Sequence, residues 1–494
     1  MKERIACTAL QKKKMSAEQA AALIEKDMLV AFGGYTSSGY PKSVARELVK
    51  RKTEQPDFTI RMLTGANVGP LDTILGGAEI ISWRAPMIES KTIAKQANSG
   101  SVQYVEQQMN KMPGWVASGI FGKIDIAVVE ALYITEEGGI VPTSSVGMVP
   151  HFLSRAEKII VEINTAQPMA LAGMHDIYIP EKGQPIPLTD TAGRIGKPYM
   201  TVDIGKIYAI VESGELDEAA SAGEGKPENR KIAENLINFL QAEAKRIPDG
   251  KLPPLQTGFG GLAAEIARGL AKSDFTDLTF FCGGITDAVL ELIEMGKVRA
   301  VSAGSIQMTP KAVRMMEENP ALFREKIILR NTDITNRAET IGRMGIIALT
   351  SGIEMDMYGN VNSSHIAGTQ VVNGLGGGAN FAENAVLSIL LMPSENKGGA
   401  ISTIVPMVSH QDISEHDIDV VITENGIADL RGKDDRQRAA CIIENCAGVH
   451  YREKLNAYFE RAKKEVGGHH PQLLAEAFSW HICLKQTGTM LDEE

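Results

Sequence analysis

Residues 278–295 read LTFFCGGITDAVLELIEM, and the fold class turns on this stretch. Leu278–Cys282 predicts a strand, the glycine pair a sharp turn, and Asp287–Met295 a helix; Ala300–Ser302 then begins another strand. Strand, glycine turn and helix in that order form the repeating unit of α/β proteins, whose turns carry ligand sites. The same grammar runs outward in both directions. Met28–Phe32, Asp125–Glu130 and Lys158–Ile163 predict strands, the last two too apolar to be half exposed. Ser43–Lys52 predicts a helix, with apolar residues three and four apart. Beyond 278–295, Met344–Leu349, Ala400–Val405 and Val420–Thr423 predict further strands.

Between the halves lies Ser213–Lys226 (SGELDEAASAGEGK), small, acidic and without periodicity, before a helix over Asn229–Arg246. The boundary is therefore expected near residue 222, giving two α/β domains, 1–222 and 223–494. No repeat of 20–50 residues is visible.

The chain has 494 residues with a net charge of −10, which argues against nucleic acid as a partner. Ala385–Met392 (AVLSILLM), among the longest apolar runs, is far too short to span a bilayer. The start lacks an apolar signal core, so no membrane partner and a cytoplasmic location are expected. Five scattered cysteines fit neither a disulfide framework nor a four-ligand zinc spacing. His365, His410 and His416 make no HExxH, and adjacent His469 and His470 are expected at the surface; no metal is expected.

Glycine, 48 of 494 residues, is the informative composition. FGGYTSSGYPK (32–42), TGFGG (257–261), CGGIT (282–286) and NGLGGGANF (373–381) follow strand-like runs. Turns of this kind free backbone N–H groups that hold a phosphate or an oxyanion, or they serve tight packing alone. None is a clean dinucleotide fingerprint. Cys282, at a strand end before a glycine turn, stands where a nucleophile would, but a buried free cysteine also behaves as a small hydrophobe.

Longer segments carry a resemblance. SGYPKSVARELV (38–49), EGGIVPTSSVG (137–147), HDIYIP (175–180), PLQTGFG (254–260), MDMYGNVNSSHIAGT (355–369), NGLGGGANFAENA (373–385), SENKGGAISTIVPMVSH (394–410), SEHDIDVVITENGIADLRG (414–432) and the closing FSWH (478–481) occur in order. Together they resemble the acetyl-CoA hydrolase/transferase family, which includes succinyl-CoA:acetate and butyryl-CoA:acetate CoA-transferases. The resemblance implies two α/β domains of the CoA-transferase-like fold. It also implies short-chain acyl-CoA, acetyl-CoA first, and a small carboxylate as substrates, and a homodimer. The CoA-binding turn falls on Gly258, Phe259, Gly260, Gly261 and Leu262. Phe259 and Gly377 would supply oxyanion-directed N–H groups, and Asn336, Ile353, Asn373 and Lys397 match positions that line the CoA site.

One departure stands out. Family members carry a nucleophilic glutamate after the strand equivalent to Leu278–Cys282, and here that place is Gly283. Gly-Gly-Ile-Thr in this position resembles the α subunit of citrate lyase, where the acceptor carboxylate attacks the thioester directly. QTGFGG (256–261) leans the same way, since the CoA-transferases usually carry asparagine where Gly261 stands. The expectation is a CoA-transferase working by direct transfer, with acyl-CoA hydrolysis or catalytically weak acyl-CoA binding as the alternatives. Glu130 and Glu415 are expected to be structural.

Overall fold

A computed structural model describes residues 2–66, 69–219 and 225–491. The chain forms two compact units, Met1–Ser221 with Thr276–Met344, and Ala222–Phe275 with Gly345–Glu494. The expected boundary at residue 222 lies outside the described residues. Thr276–Met344 groups with the first unit.

The first unit is built on a seven-stranded sheet, all parallel, ordered Gln103–Tyr104, Ile81–Ala85, Ile60–Thr64, Leu29–Phe32, Ile124–Ala131, Ala156–Asn164 and Ile207–Ser213. The two longest strands are apolar and buried over nearly their whole length, as a sheet covered on both faces requires. From Leu29–Phe32 the chain winds outward through three strands, then returns to place Ile124–Ala131 on the other side. The order thus reverses between Leu29–Phe32 and Ile124–Ala131, and crevices at the C-terminal ends of strands at such a reversal are where open α/β sheets bind ligands.

Leu278–Cys282, Val298–Ala303 and Ile327–Leu329 form a parallel set in the same unit. Backbone bridges Ser145–Ser305, Gly147–Asn331 and His175–Leu329 tie it to the preceding chain. So does a fully buried ion pair, Arg330 with Asp176 of the HDIYIP segment. Removing either charge would strand its partner in a low-dielectric interior, so this pair helps fix the docking of 276–344.

The second unit has parallel strands Leu255–Gln256, Ile347–Thr350, Leu387–Leu391 and Val420–Ile422, with Ile427–Asp429 antiparallel at the end. A core including Met355, Leu390, Val421, Ile442 and Phe459 joins them to the helices Asp435–Cys446 and Arg452–Glu465. Two expectations change in detail. Met344 closes a helix, Ala338–Met344, and Gly345 at φ +65° ends it, so the strand starts only at Ile347. The single strand expected over Ala400–Val405 splits into Ile401–Ser402 and Ile404–Val405, which pair with different partners. Among the described residues no helix is long and apolar enough to cross a membrane.

Candidate functional site

In the first unit, the strands Leu29–Phe32 and Leu278–Cys282 each run into a glycine pair, Gly33-Gly34 and Gly283-Gly284. Gly33 N–H donates to the Val128 carbonyl at 2.8 Å, so the backbone stays against the neighbouring strand for one more residue. Tyr35 then enters a tight turn in which Tyr35 and Ser38 exchange backbone hydrogen bonds of 3.0 and 3.1 Å. Thr36 within it has φ +55°, which a β-branched residue rarely adopts, and such strain persists only where surroundings over-determine it. Here Thr36 N–H donates to the Ala66 carbonyl at 2.8 Å, and its hydroxyl lies 3.2 Å from that of Ser305.

Three buried acids bolt this loop down. Glu162 accepts from the first N–H groups of the helix Ser43–Glu54, those of Lys42 (2.7 Å), Ser43 (3.0 Å) and Val44 (3.1 Å), where a negative charge also meets the positive helix end. Lys42, buried, reaches Glu130 at 2.6 Å and Asp217 at 2.8 Å. Asp217 also accepts from Gly39 N–H and the Ser144 hydroxyl. The acidic stretch Ser213–Lys226, which reads as a linker, is therefore anchored by Asp217. Burial raises the Glu130 carboxyl to about 7, with Lys42 opposing and Asp217 adding to the rise.

Gly283 continues from Cys282, and its carbonyl accepts from Gly304 N–H at 3.0 Å. A Cβ at Gly283 would lie 3.1 Å from Tyr35 Oη, its nearest neighbour. Tyr35 Oη in turn donates to Asn336 Oδ1 at 3.3 Å. The fold therefore brings Gly283 and Asn336, two expected site positions, to the hydroxyl of one phenol that the sequence did not single out.

The other carboxylates and the thiol near these segments are each held or enclosed. Glu130 is enclosed and held by Lys42, Thr143 (2.7 Å) and Asn164 (2.9 Å). Glu415 is held by Asn360 at 2.8 Å, Glu291 pairs with Lys311, and Glu294 accepts from Asn319. Cys282 is wholly buried.

In the second unit, Gly258–Leu262 leads into the helix Gly261–Lys272. Gly260 sits at φ +88° with nothing within 4 Å of a would-be Cβ, and Gly258 is equally open. The turn that leads into this 12-residue helix is thus open on the side of both glycines. Phe259 is 42% exposed, unusual for a phenylalanine. Gly377 immediately precedes the helix Gly378–Asn384. Ile353 N–H donates to Asn362 and Asn373 N–H to Ser364, so the backbone of each is fixed by the MDMYGNVNSSH segment. Lys397, at φ +50°, heads a hairpin loop with Gly398 and Gly399, also at positive φ. Its side chain is exposed and makes no ion pair among the described residues. His365 and His410 stack with ring centroids 3.9 Å apart, and burial and the neighbouring ring lower the His365 pKa. His416 stays at the surface.

Residues 1–212 match the acetyl-CoA hydrolase/transferase N-terminal domain and residues 313–459 its C-terminal domain. The chain is 41% identical to a succinyl-CoA:acetate CoA-transferase of Clostridium kluyveri, over 99% of this chain and 92% of that protein. It is 35% identical to an acetyl-CoA hydrolase of Candida albicans, over 99% and 98%. In fold it is similar to RipA from Yersinia pestis (TM-score 0.71, 19% identity, 92% of this chain and 98% of that one). It is likewise similar to a 4-hydroxybutyrate CoA-transferase from Porphyromonas gingivalis (0.63, 20%, 92% and 98%). A putative citrate lyase α subunit from Streptococcus mutans, crystallised with citrate, shares the fold to the same degree (0.63, 19%, 93% and 86%).

Proposed function

The chain belongs to the acetyl-CoA hydrolase/transferase family, and from that membership we propose that it moves CoA from a short-chain acyl-CoA, acetyl-CoA first, to a small carboxylate by direct transfer. The observation that carries the mechanism is Gly283. The family's attacking carboxylate is missing there, and every other candidate nucleophile is held elsewhere or buried.

In direct transfer the acceptor carboxylate attacks the thioester carbonyl, the C–S bond breaks, and a mixed anhydride and CoA thiolate result. The thiolate then attacks the acceptor's acyl carbon, forming the new thioester and releasing the donor acid as carboxylate. Both steps build negative charge on a carbonyl oxygen. The backbone N–H groups of Phe259 and Gly377 are the proposed donors to it, and donors aimed at developing charge are a large source of rate. The Gly258–Leu262 turn, Ile353, Asn373 and Lys397 are proposed to hold CoA, with Asn336 at the acyl end of the site. A cytoplasmic homodimer that uses no metal belongs to the same proposal, and light scattering checks the dimer.

The relatives named as hydrolases support a second reading, in which water takes the acceptor's place. A screen of acyl-CoA and carboxylate pairs that records thioester exchange and free CoA together separates the two. Exchange dominating identifies the transferase, and CoA release independent of acceptor the hydrolase. A further result is expected from mass spectrometry: incubation with acyl-CoA alone leaves no CoA bound covalently, and an adduct on Glu130, Glu415 or Cys282 would sink direct transfer. Lys397→Ala should weaken acyl-CoA binding by a few-fold to about tenfold, as loss of a partly solvated charge-assisted contact allows. Calorimetry reads this, and unchanged affinity removes Lys397 from the site.

A further inference from the structure

Asn336 is fully buried, and its Nδ2 has no hydrogen-bond partner among the described residues. Buried amide N–H groups are nearly always satisfied, so an orphan of this kind asks for a ligand. Its Oδ1 is taken, by the Thr335 hydroxyl at 2.8 Å and Tyr35 Oη at 3.3 Å. The second of these is long for an O–H···O bond and is cheap to exchange for a better acceptor. Tyr35 Oη is also the atom nearest the position that a Gly283 side chain would enter.

We propose that Tyr35 Oη and Asn336 Nδ2 form the binding site for the acceptor's carboxylate, beside Gly283, in the space a nucleophilic glutamate would otherwise enter. The proposal rests on the direct-transfer reading and adds to it the groups that recognise the acid. One donor on each member of the hydrogen-bonded Tyr35–Asn336 pair suits the two oxygens of a carboxylate. Both are neutral, which matters for a carboxylate that must also attack. A lysine or arginine ion pair would bind the acid more tightly but would lower its nucleophilicity, stabilising the ground state more than the transition state. Tyr35 remains a donor throughout the working pH range, because burial pushes its phenol far above the ordinary value.

Its placement is equally specific. The phenol stands three residues beyond the strand Leu29–Phe32, where the sheet order reverses. It rides on the strained Thr36 turn, which the Ala66 carbonyl and Ser305 hydroxyl hold in place. Strain retained at a ligand site, rather than relaxed, is the signature of pre-organisation.

Tyr35→Phe keeps the ring and removes only the hydroxyl. With acetate and succinate as acceptors, it should raise the acceptor KM about tenfold while the acyl-CoA KM stays within twofold. A second measurement avoids turnover: titration of ¹³C-acetate into enzyme saturated with free CoA, followed by NMR. There the variant should bind acetate about tenfold more weakly at an unchanged melting temperature. Unchanged acetate affinity and KM would overturn the proposal. Equal losses toward acetate and acyl-CoA together with a lowered melting temperature would also overturn it, by making Tyr35 a packing residue. Failure of the underlying reading looks different: wild-type enzyme would release CoA to water without exchange, whereas the acetate titration still reports on the donor pair.

Discussion

Gly283→Glu should lower transfer at least a hundredfold while the protein still folds. Gly283 is not among the positions at positive φ, so the backbone accepts a side chain. The new Cβ would meet Tyr35 Oη at 3.1 Å, a tight contact with a phenol rather than with backbone. The carboxylate beyond it would reach the space assigned to the acceptor and repel the acceptor's own charge. Steady-state exchange assays read the loss, and intact-mass spectrometry reads its nature. A CoA thioester on the introduced glutamate, with ping-pong kinetics, would instead show that the remaining pocket still serves covalent chemistry. Unchanged kinetics would place Gly283 away from the reacting atoms altogether.

Lys42→Met is expected to cost about 3–5 kcal/mol of stability at neutral pH, since it leaves Glu130 and Asp217 buried together without their cation. The pH dependence has a definite sign. Glu130 already titrates near 7 in the folded chain against an ordinary 4.5, so the folded state holds a proton that the unfolded chain has lost between those values. Stability from this group is present below the unfolded value and falls as pH rises towards 7. Without Lys42, whose charge opposes the rise, the Glu130 carboxyl shifts further upward, so the deficit should shrink on going from pH 8 to 5.5. Urea unfolding at the two pH values measures this. A deficit independent of pH would mean that the lost packing of the lysine stem matters more than the charge. Activity should fall as well, because the same cluster holds the loop that carries Tyr35.

The strand Leu278–Cys282 was legible to the residue, because a covered parallel strand is an apolar run and Gly283-Gly284 stops it. The helix after it was legible from Asp287 onward through its apolar spacing. The Tyr35–Asn336 contact joins residues 301 apart, and no local pattern encodes a separation of that size. Lys42 and Asp217 were hidden for a different reason. Charged residues in a glycine-rich or acidic stretch read as solvated, and only the fold shows that each is the other's counter-ion in the interior. The turn at Thr36 runs against its own residue preference, so propensity points away from it. Continuous halves were the natural reading because composition changes near residue 222. The bridges that tie 276–344 to the preceding chain are isolated residue pairs, mostly outside the strands, which carry no compositional mark.

That return of the chain has a consequence for synthesis on the ribosome. The chain passes from one unit to the other at 221/222, 275/276 and 344/345. When residue 222 emerges, the N-terminal sheet exists, but the segment that completes its unit is still unmade. The intervening 222–275 is then made before the strands of its own unit that begin at Ile347. Exchange of halves between relatives would therefore have to respect three junctions at once.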